Sequence, residues 1–278
     1  MKLRAVIVLA LTSGCASFTS FFGSENTVAY FPDAEGNLQA GLKAMQNKSF
    51  DEAETYFEYT RTKYPYVDAA TEAELGLGDA DFARDKFIEA RDRYNNFVRL
   101  HPTHVKVDYA AFRAAITHYK EIPSDFFVLP PSAEKDQVEV RNARIALGDF
   151  LRLSPSSQYA VEARKTLDEV RRRLADHELY VAEFYAHPNR KKWRGVVTRL
   201  QGLEKNYSGL GFDEKVAFGL HEAYVQLEDY DNARAALERY VATREDSADV
   251  RRARGLLAEL AGKHTAPPPA EDAPDAGS

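Results

Sequence analysis

Apolar and small residues recur along this chain at helical spacing, and one arrangement of them returns five times. A bulky residue opens each segment and a small residue follows three places later. The copies are Phe50-Asp51-Glu52-Ala53, Phe87-Ile88-Glu89-Ala90, Val140-Arg141-Asn142-Ala143, Trp193-Arg194-Gly195-Val196 and Tyr230-Asp231-Asn232-Ala233. The first three close at Tyr64-Pro65, His101-Pro102 and Ser154-Pro155, twelve residues beyond the small residue each time, and the fourth closes at Tyr207-Ser208 with the same interval. Successive small residues lie 37, 53, 53 and 37 positions apart. In a helical hairpin a small side chain lets the second helix approach the first, and apolar residues three and four places on fill the same seam. Tyr56, Phe57, Leu147 and Leu200 hold those places. Proline cannot continue a helix and forces the chain to reverse.

The intervening segments carry matching stripes. Leu38, Leu42 and Met45 precede Phe50, and Tyr109, Phe112, Ile116 and Tyr119 follow the turn His101-Pro102-Thr103-His104. From Tyr159 to Tyr185 there is no Pro or Gly, while Ala163, Leu167, Val170, Leu174, Val181 and Phe184 keep helical register. That pattern predicts one long helix at the joint between two halves. Phe212 to Leu227 reads as a further helix, Asp249 to Leu260 as a capping helix, and no segment reads as a strand. Such helix pairs resemble the tetratricopeptide repeat (TPR) in their W/F-x-x-A start and terminal proline. The expected fold is all-α: a TPR-like solenoid of about five hairpins plus a C-terminal capping helix, a form that presents concave grooves. An N-terminal set of repeats covers 33–155 and a C-terminal set 156–262. Glu121 to Lys135 is a long loop whose Phe126 to Leu129 are expected to fold back on the solenoid. Residues 263–278, rich in Pro, Ala and acid, are expected to be disordered.

Ahead of the repeats, Lys2 and Arg4 precede the apolar run Ala5 to Leu11, and Leu11-Thr12-Ser13-Gly14-Cys15 closes it. That order is a secretory signal, and the run is far shorter than the ~20 residues that span a bilayer. Cys15 is the only cysteine in 278 residues. Its place after small residues resembles a bacterial lipobox, with Thr12 where Leu is usual and Leu11 one place early. The resemblance implies removal of 1–14, an S-diacylglycerol and an N-acyl chain on Cys15, and a lipidated flexible tether over 15–32. The alternative is an ordinary signal peptide with an incidental cysteine, but an unpaired thiol in an exported protein asks for a reason. Several acyl chains hold a protein on a membrane at ~0.8 kcal/mol per buried methylene. Ala16 stands after the cysteine where an inner-membrane retention signal would have Asp. By the same resemblance this implies the periplasmic face of the outer membrane. Phe18, Phe21 and Phe22 are candidates for contact with the lipid interface.

Charge and chemistry narrow the function. Without the leader the chain has 35 basic and 43 acidic residues, a net charge of −8. A net acidic chain with no basic cluster flanked by stacking aromatics argues against nucleic acid. One cysteine permits no internal disulfide, so packing must supply stability, and 264 residues suffice for a large core. His-Glu-x-x-His, a Gly-rich phosphate loop before Lys, and Gly-x-Ser-x-Gly are all absent. His101 and His104 have a ligand-like spacing, but they straddle Pro102 without acidic or thiolate neighbours in the sequence. They read as inter-repeat turn residues, and His177 and His221 as residues of helical faces. No catalytic residue, metal or cofactor is expected beyond the lipid on Cys15, and the chain reads as a binding protein, not an enzyme.

One family matches in order and in unequal repeat spacing. The matching residues are Tyr64-Pro65, then Arg99-Leu100-His101-Pro102-Thr103-His104 with Val107-Asp108-Tyr109, Asp149-Phe150, and Pro155-Ser156-Ser157-Gln158-Tyr159. They continue at Arg173-Leu174-Ala175, Tyr180-Val181-Ala182-Glu183-Phe184-Tyr185, Trp193, Val196-Val197, Arg199 and Asn206-Tyr207. Together they resemble the BamD family, TPR-type lipoproteins of the outer-membrane β-barrel assembly (BAM) complex. The resemblance implies a non-catalytic scaffold whose C-terminal repeats bind the POTRA region of a BamA-type barrel subunit. Its N-terminal repeats would recognise the targeting signal of unfolded β-barrel clients, and other BAM lipoproteins are further partners. Arg199, Trp193 and Tyr185 are the candidates for the BamA-type contact, with Arg199 on an exposed turn of the second half. Tyr59, Tyr64 and Tyr66 are candidates for the client signal. A TPR lipoprotein acting as pilotin for a secretin or pilus system is the alternative.

Overall fold

The computed structural model describes residues 28–123 and 132–265. The leader, Cys15, Phe18, Phe21, Phe22, Phe126 to Leu129 and residues 266–278 lie outside the described residues. The described chain is helical, with no strand among its residues. Five antiparallel pairs follow one another: α1 (Ala34–Gln46) with α2 (Phe50–Lys63), α3 (Asp68–Ala83) with α4 (Phe87–Leu100), α5 (Val107–Lys120) with α6 (Val138–Leu153), α7 (Ala160–Ala186) with α8 (Trp193–Tyr207), and α9 (Asp213–Gln226) with α10 (Tyr230–Ala242). A last helix, α11 (Ala248–Glu259), packs on α10. Each helix packs on its sequence neighbours, and first helices also touch across hairpins, α1 with α3 and α5 with α7. The first helices therefore line the inner wall of the solenoid.

The repeated pattern sets where second helices begin. α2, α4, α8 and α10 start at Phe50, Phe87, Trp193 and Tyr230. α6 starts at Val138, two residues ahead of Val140, because nothing in Val138-Glu139 interrupts the helical run. Ala53, Ala90, Ala143 and Ala233 are fully buried and Val196 nearly so, each at the crossing with the preceding helix. α2, α4 and α6 end two residues before Pro65, Pro102 and Pro155.

Two stripes differ from expectation. In α1 the buried face is Asn37, Leu38, Gly41 and Ala44, while Leu42 is exposed. The cause is Phe57, which needs a residue without a side chain opposite it: a Cβ on Gly41 would stand 2.5 Å from the ring, and one on Gly76 2.7 Å. In α7 the stripe shifts by one residue midway. Val170 and Leu174 join the α5–α6 core, whereas Ala175, Leu179 and Ala182 join the α8–α9 core. The helix, about 40 Å long at 1.5 Å per residue, serves two cores on different faces, so Phe184 turns out to solvent. No helix of the described residues is long and apolar enough to cross a membrane.

The turns inside the hairpins share a backbone device. Lys48, Asp85 and Glu228 adopt φ of 59°, 58° and 60°, each two residues before a second helix, and Lys191 does the same at 49° before Trp193. The next N–H then reaches back to the preceding helix: Ser49 to the Ala44 carbonyl, Lys86 to Asp81 and Asp229 to Tyr224, all at 2.9 Å. These bonds satisfy carbonyls that a helix end leaves open.

Candidate partner-binding surfaces

In the C-terminal half, α8 presents two different faces. Gly195 and Arg199, four residues apart, meet the end of α7. A Cβ on Gly195 would stand 2.8 Å from the Tyr185 ring, so the glycine lets that ring lie against α8. Arg199 Nη1 donates to Glu178 Oε2 at 2.8 Å. Hydrogen bonding to Glu178, with further help from the Tyr185 phenol, holds the Arg199 guanidinium above its usual range. Arg199 lies within α8 and is partly exposed, so a partner carboxylate would compete with Glu178 for its fork.

Trp193 faces the other way. It lines a groove of about 500 Å³ between α7, α8, α9 and α11, with Leu179, Leu200, Phe218, Val225 and Leu256. Gly219 sits on the floor, where a Cβ would press on Leu200 at 2.7 Å. Glu183, Glu222, Lys215 and Arg252 stand at the rim. The structure thus brings Tyr185 and Arg199 together with Glu178 and sets Trp193 apart from them. His221 also lines the groove; its Nδ1 is buried without a partner, and burial lowers its pKa below the ordinary histidine value. The loop before Trp193 is exposed from His187 to Lys192, and the Arg190 guanidinium lies 3.5 Å from the centroid of the Phe184 ring.

In the N-terminal half, Tyr59 and Tyr64 come together with rings 6.3 Å apart, while Tyr66 is 98% exposed. The chain's own entry segment covers the first two. Tyr30 stacks on Tyr59 at 3.8 Å, the Tyr64 hydroxyl donates to the Pro32 carbonyl at 2.9 Å, and the Tyr56 hydroxyl reaches the Ala29 carbonyl at 3.4 Å. Asn37, fully buried, clamps this segment: it accepts from the Phe31 N–H at 3.0 Å and donates to the Phe31 carbonyl at 2.8 Å. Residues 29–32, expected as tether, therefore belong to the first hairpin. Asn37 was not singled out from the sequence, although a buried asparagine in the first turn of a helix is the residue type that ties a preceding strand of chain.

On α3 and α5, Asp79 accepts from Tyr94 at 2.6 Å and from Tyr109 at 2.7 Å. Burial pushes the Asp79 carboxyl up and both phenols well above their usual range. Arg113 lies over the Phe82 ring at 3.6 Å and donates to the Tyr94 hydroxyl at 3.3 Å. This closed network braces the inner wall.

His101 and His104 are ion-pair and turn residues. His101 Nε2 lies 2.9 Å from Glu74 and His104 3.8 Å from Glu72, so α3 supplies acidic partners that lie 27 or more residues away in sequence. His177 Nδ1 lies 2.7 Å from the Ala133 carbonyl. His118, Glu121 and Glu139 are close enough to hold a metal, but the Arg91 guanidinium already donates to Glu121 and lies 3.1 Å from His118 Nδ1.

This two-surfaced solenoid has relatives. A sequence profile of YfiO, described as an outer membrane lipoprotein, matches residues 33–239, from the cap of α1 into α10. The chain belongs to the YfiO family of outer membrane lipoproteins. The match takes in both tyrosine-bearing and Arg199-bearing hairpins. The outer membrane protein assembly factor BamD of Vibrio cholerae is 26% identical over 230 residues, covering 81% of this chain and 90% of that protein. BamD of Caulobacter vibrioides is 24% identical over 82% of this chain and 70% of its own length. BamD of Haemophilus influenzae is 26% identical over 81% and 84%. Among solved structures, the TPR2AB domain of yeast Sti1 superposes with a TM-score of 0.44 at 11% identity, over 82% of this chain and 84% of that one.

Proposed function

We propose that this protein is an outer membrane protein assembly factor of the BAM complex. It acts as a scaffold without chemistry of its own, held at the periplasmic face by lipid on Cys15. The observation that carries this reading is the family match over both halves of the solenoid, together with BamD relatives that align over more than four fifths of the chain. The geometry supports a division of labour. The Glu178–Tyr185–Arg199 surface and the neighbouring groove take the POTRA region of a BamA-type subunit. The first hairpin, with Tyr59, Tyr64 and exposed Tyr66, meets the aromatic-ended signals of unfolded clients; Tyr30 stands over Tyr59, so a client ring would slide beside or displace it. An extended segment needs apolar pockets and backbone partners, and a solenoid groove offers the first of these. The pilotin alternative has no support from the relatives' names.

Affinity capture of the intact lipoprotein from membranes solubilised in mild detergent tests the assignment. A POTRA-bearing barrel protein is the expected companion. Recovery of a secretin in its place would reverse the reading in favour of the pilotin.

A further inference from the structure

The exposed apolar side chains are not spread evenly over the solenoid. Among the described residues Tyr66, Val105, Leu153 and Val161 are each at least 70% exposed, and the next large apolar side chain, Ile88, is 59% exposed. All four stand in or beside a turn that joins one hairpin to the next. Tyr66 lies between α2 and α3, Val105 between α4 and α5, and Leu153 and Val161 flank the turn between α6 and α7. In a stack of antiparallel hairpins every such turn lies on one edge, and the entry segment to α1 lies there too. The contacts agree: the Tyr64 hydroxyl donates to the Pro32 carbonyl, and the Ser154 hydroxyl reaches Asp108 beside the neighbouring turn at 3.2 Å. Tyr30, Phe31, Val67 and Leu100 are exposed on the same edge. The two turns further along, 208–212 and 243–247, expose no large apolar side chain.

Chain length and charge both bear on what covers this row. Val28, the first described residue, is thirteen positions beyond Cys15, and thirteen residues reach at most about 45 Å. Lipid on Cys15 would keep the entry edge within that distance of a bilayer, and the apolar row occupies the three turns nearest the entry. The charge along these turns is mixed. Lys63, Arg99 and Arg152 stand in the last turns of α2, α4 and α6, and Asp68, Asp108 and Glu162 in the first turns of α3, α5 and α7. Such an edge does not repel an anionic surface, and its apolar side chains must carry the contact.

We propose that this edge rests on the membrane surface, with Tyr66, Val105, Leu153 and Val161 dipping into the headgroup layer. The inference rests on the reading of Cys15 as lipidated. Apolar side chains leave water when that layer comes within reach, and tyrosine suits it because one end of the side chain is apolar and the other polar. Four side chains are too few to hold a protein on a bilayer unaided. The acyl chains hold it there, and the tether raises the effective concentration of the edge at the surface, so the edge has only to select an orientation. The helices then stand on end against the bilayer. α4 runs from Leu100 at the edge to Ile88 about 18 Å away, which turns the loops inside the hairpins, His187 to Lys192 among them, toward the periplasm. Arg199, midway along α8, is offered to a partner from the side.

The lipid takes the only native thiol, so an introduced cysteine carries a spin label by itself. The full lipidated chain with Val105→Cys, Leu153→Cys or Val161→Cys, and with Ile88→Cys as the control on the opposite edge, is placed in vesicles of phosphatidylethanolamine and phosphatidylglycerol. Tyr66 is left in place because the first hairpin also serves the client reading. Flotation reads attachment, and collisions of the label with oxygen and with a water-soluble nickel chelate read its depth. The three edge labels are expected to lose nickel collisions and gain oxygen collisions on reconstitution, while the label at position 88 keeps its solution values. A chain that floats with all four labels equally wet overturns the proposal and leaves the lipid anchor standing. A chain that does not float lacks the anchor, and both readings fall. Edge labels shielded only when a BamA-type barrel subunit is added give the row to a protein partner and overturn the proposal. Labels that broaden one another as protein density rises give it to a second copy, with the same consequence.

Discussion

Two glycines make room for one phenylalanine in the first hairpin, and the sign of a substitution depends on what stands opposite. Gly76→Ala drives a methyl into the Phe57 ring, and overpacking of this kind costs about 1–3 kcal/mol. Gly148→Ala, whose new Cβ meets nothing within 4 Å, should stabilise α6 by up to about 1 kcal/mol. Thermal denaturation of the two variants reads both signs. Arg199 illustrates a different limit. Its partly exposed pair with Glu178 is worth only about 0–1 kcal/mol to the fold, so Arg199→Glu should leave helical content unchanged while weakening POTRA binding about ten-fold. A titration against isolated POTRA domains that shows wild-type affinity would remove Arg199 from the interface. His221 carries a pH signature. Burial lowers its folded-state pKa below 6.5, against smaller opposing effects of the Ala233 carbonyl, Glu259 and Glu222. The neutral ring is therefore favoured in the folded state. Its contribution is complete above the unfolded value and is lost as pH falls through the folded one. Denaturation midpoints between pH 7 and 5 should fall less steeply in His221→Asn than in the parent.

At the scale of elements, the hairpin turn is the feature that the residue pattern concealed. Four hairpins place a Lys, an Asp or a Glu in left-handed backbone where glycine is usual, so no glycine marks the turn. Non-glycine residues pay roughly 1–2 kcal/mol there. Asp85→Gly, at an exposed position, should accordingly raise stability by up to about 1 kcal/mol in urea titration, and a loss of stability would show that Asp85 anchors the turn in another way. Helix starts were far more legible. The bulky residue and the small residue three places later sit at the crossing of two helices, and burial there tolerates few alternatives. Leu42 and Phe184 were misread for one physical reason: a stripe is set by the partner's shape as well as by period, and Phe57 and the double duty of α7 each rotate the buried face. Glu178 and Glu72 were invisible as partners because these ion pairs join residues 21 or more places apart in the chain.

For the molecule as a whole, stability comes from stacking one hairpin on the next, with each of five core clusters confined to neighbouring helices. No helix of the described residues is long and apolar enough to cross a membrane, and the proposed means of attachment is the lipid on Cys15. Cys15→Ser should move the protein from the membrane pellet to the soluble periplasmic fraction in cells lacking its partners, and retention in the pellet would mean that another element anchors it. The repeat period, the all-helical class and the family were determined by the sequence alone, because periodic burial, prolines and small residues act over a few positions. The Tyr30–Tyr59 cover, the separation of Trp193 from Arg199, the acidic partners of His101 and His104, and the groove beside Trp193 were decided only by the tertiary structure. They depend on which faces meet across hairpins, and that is fixed by packing between residues too distant in the chain for any local pattern to encode.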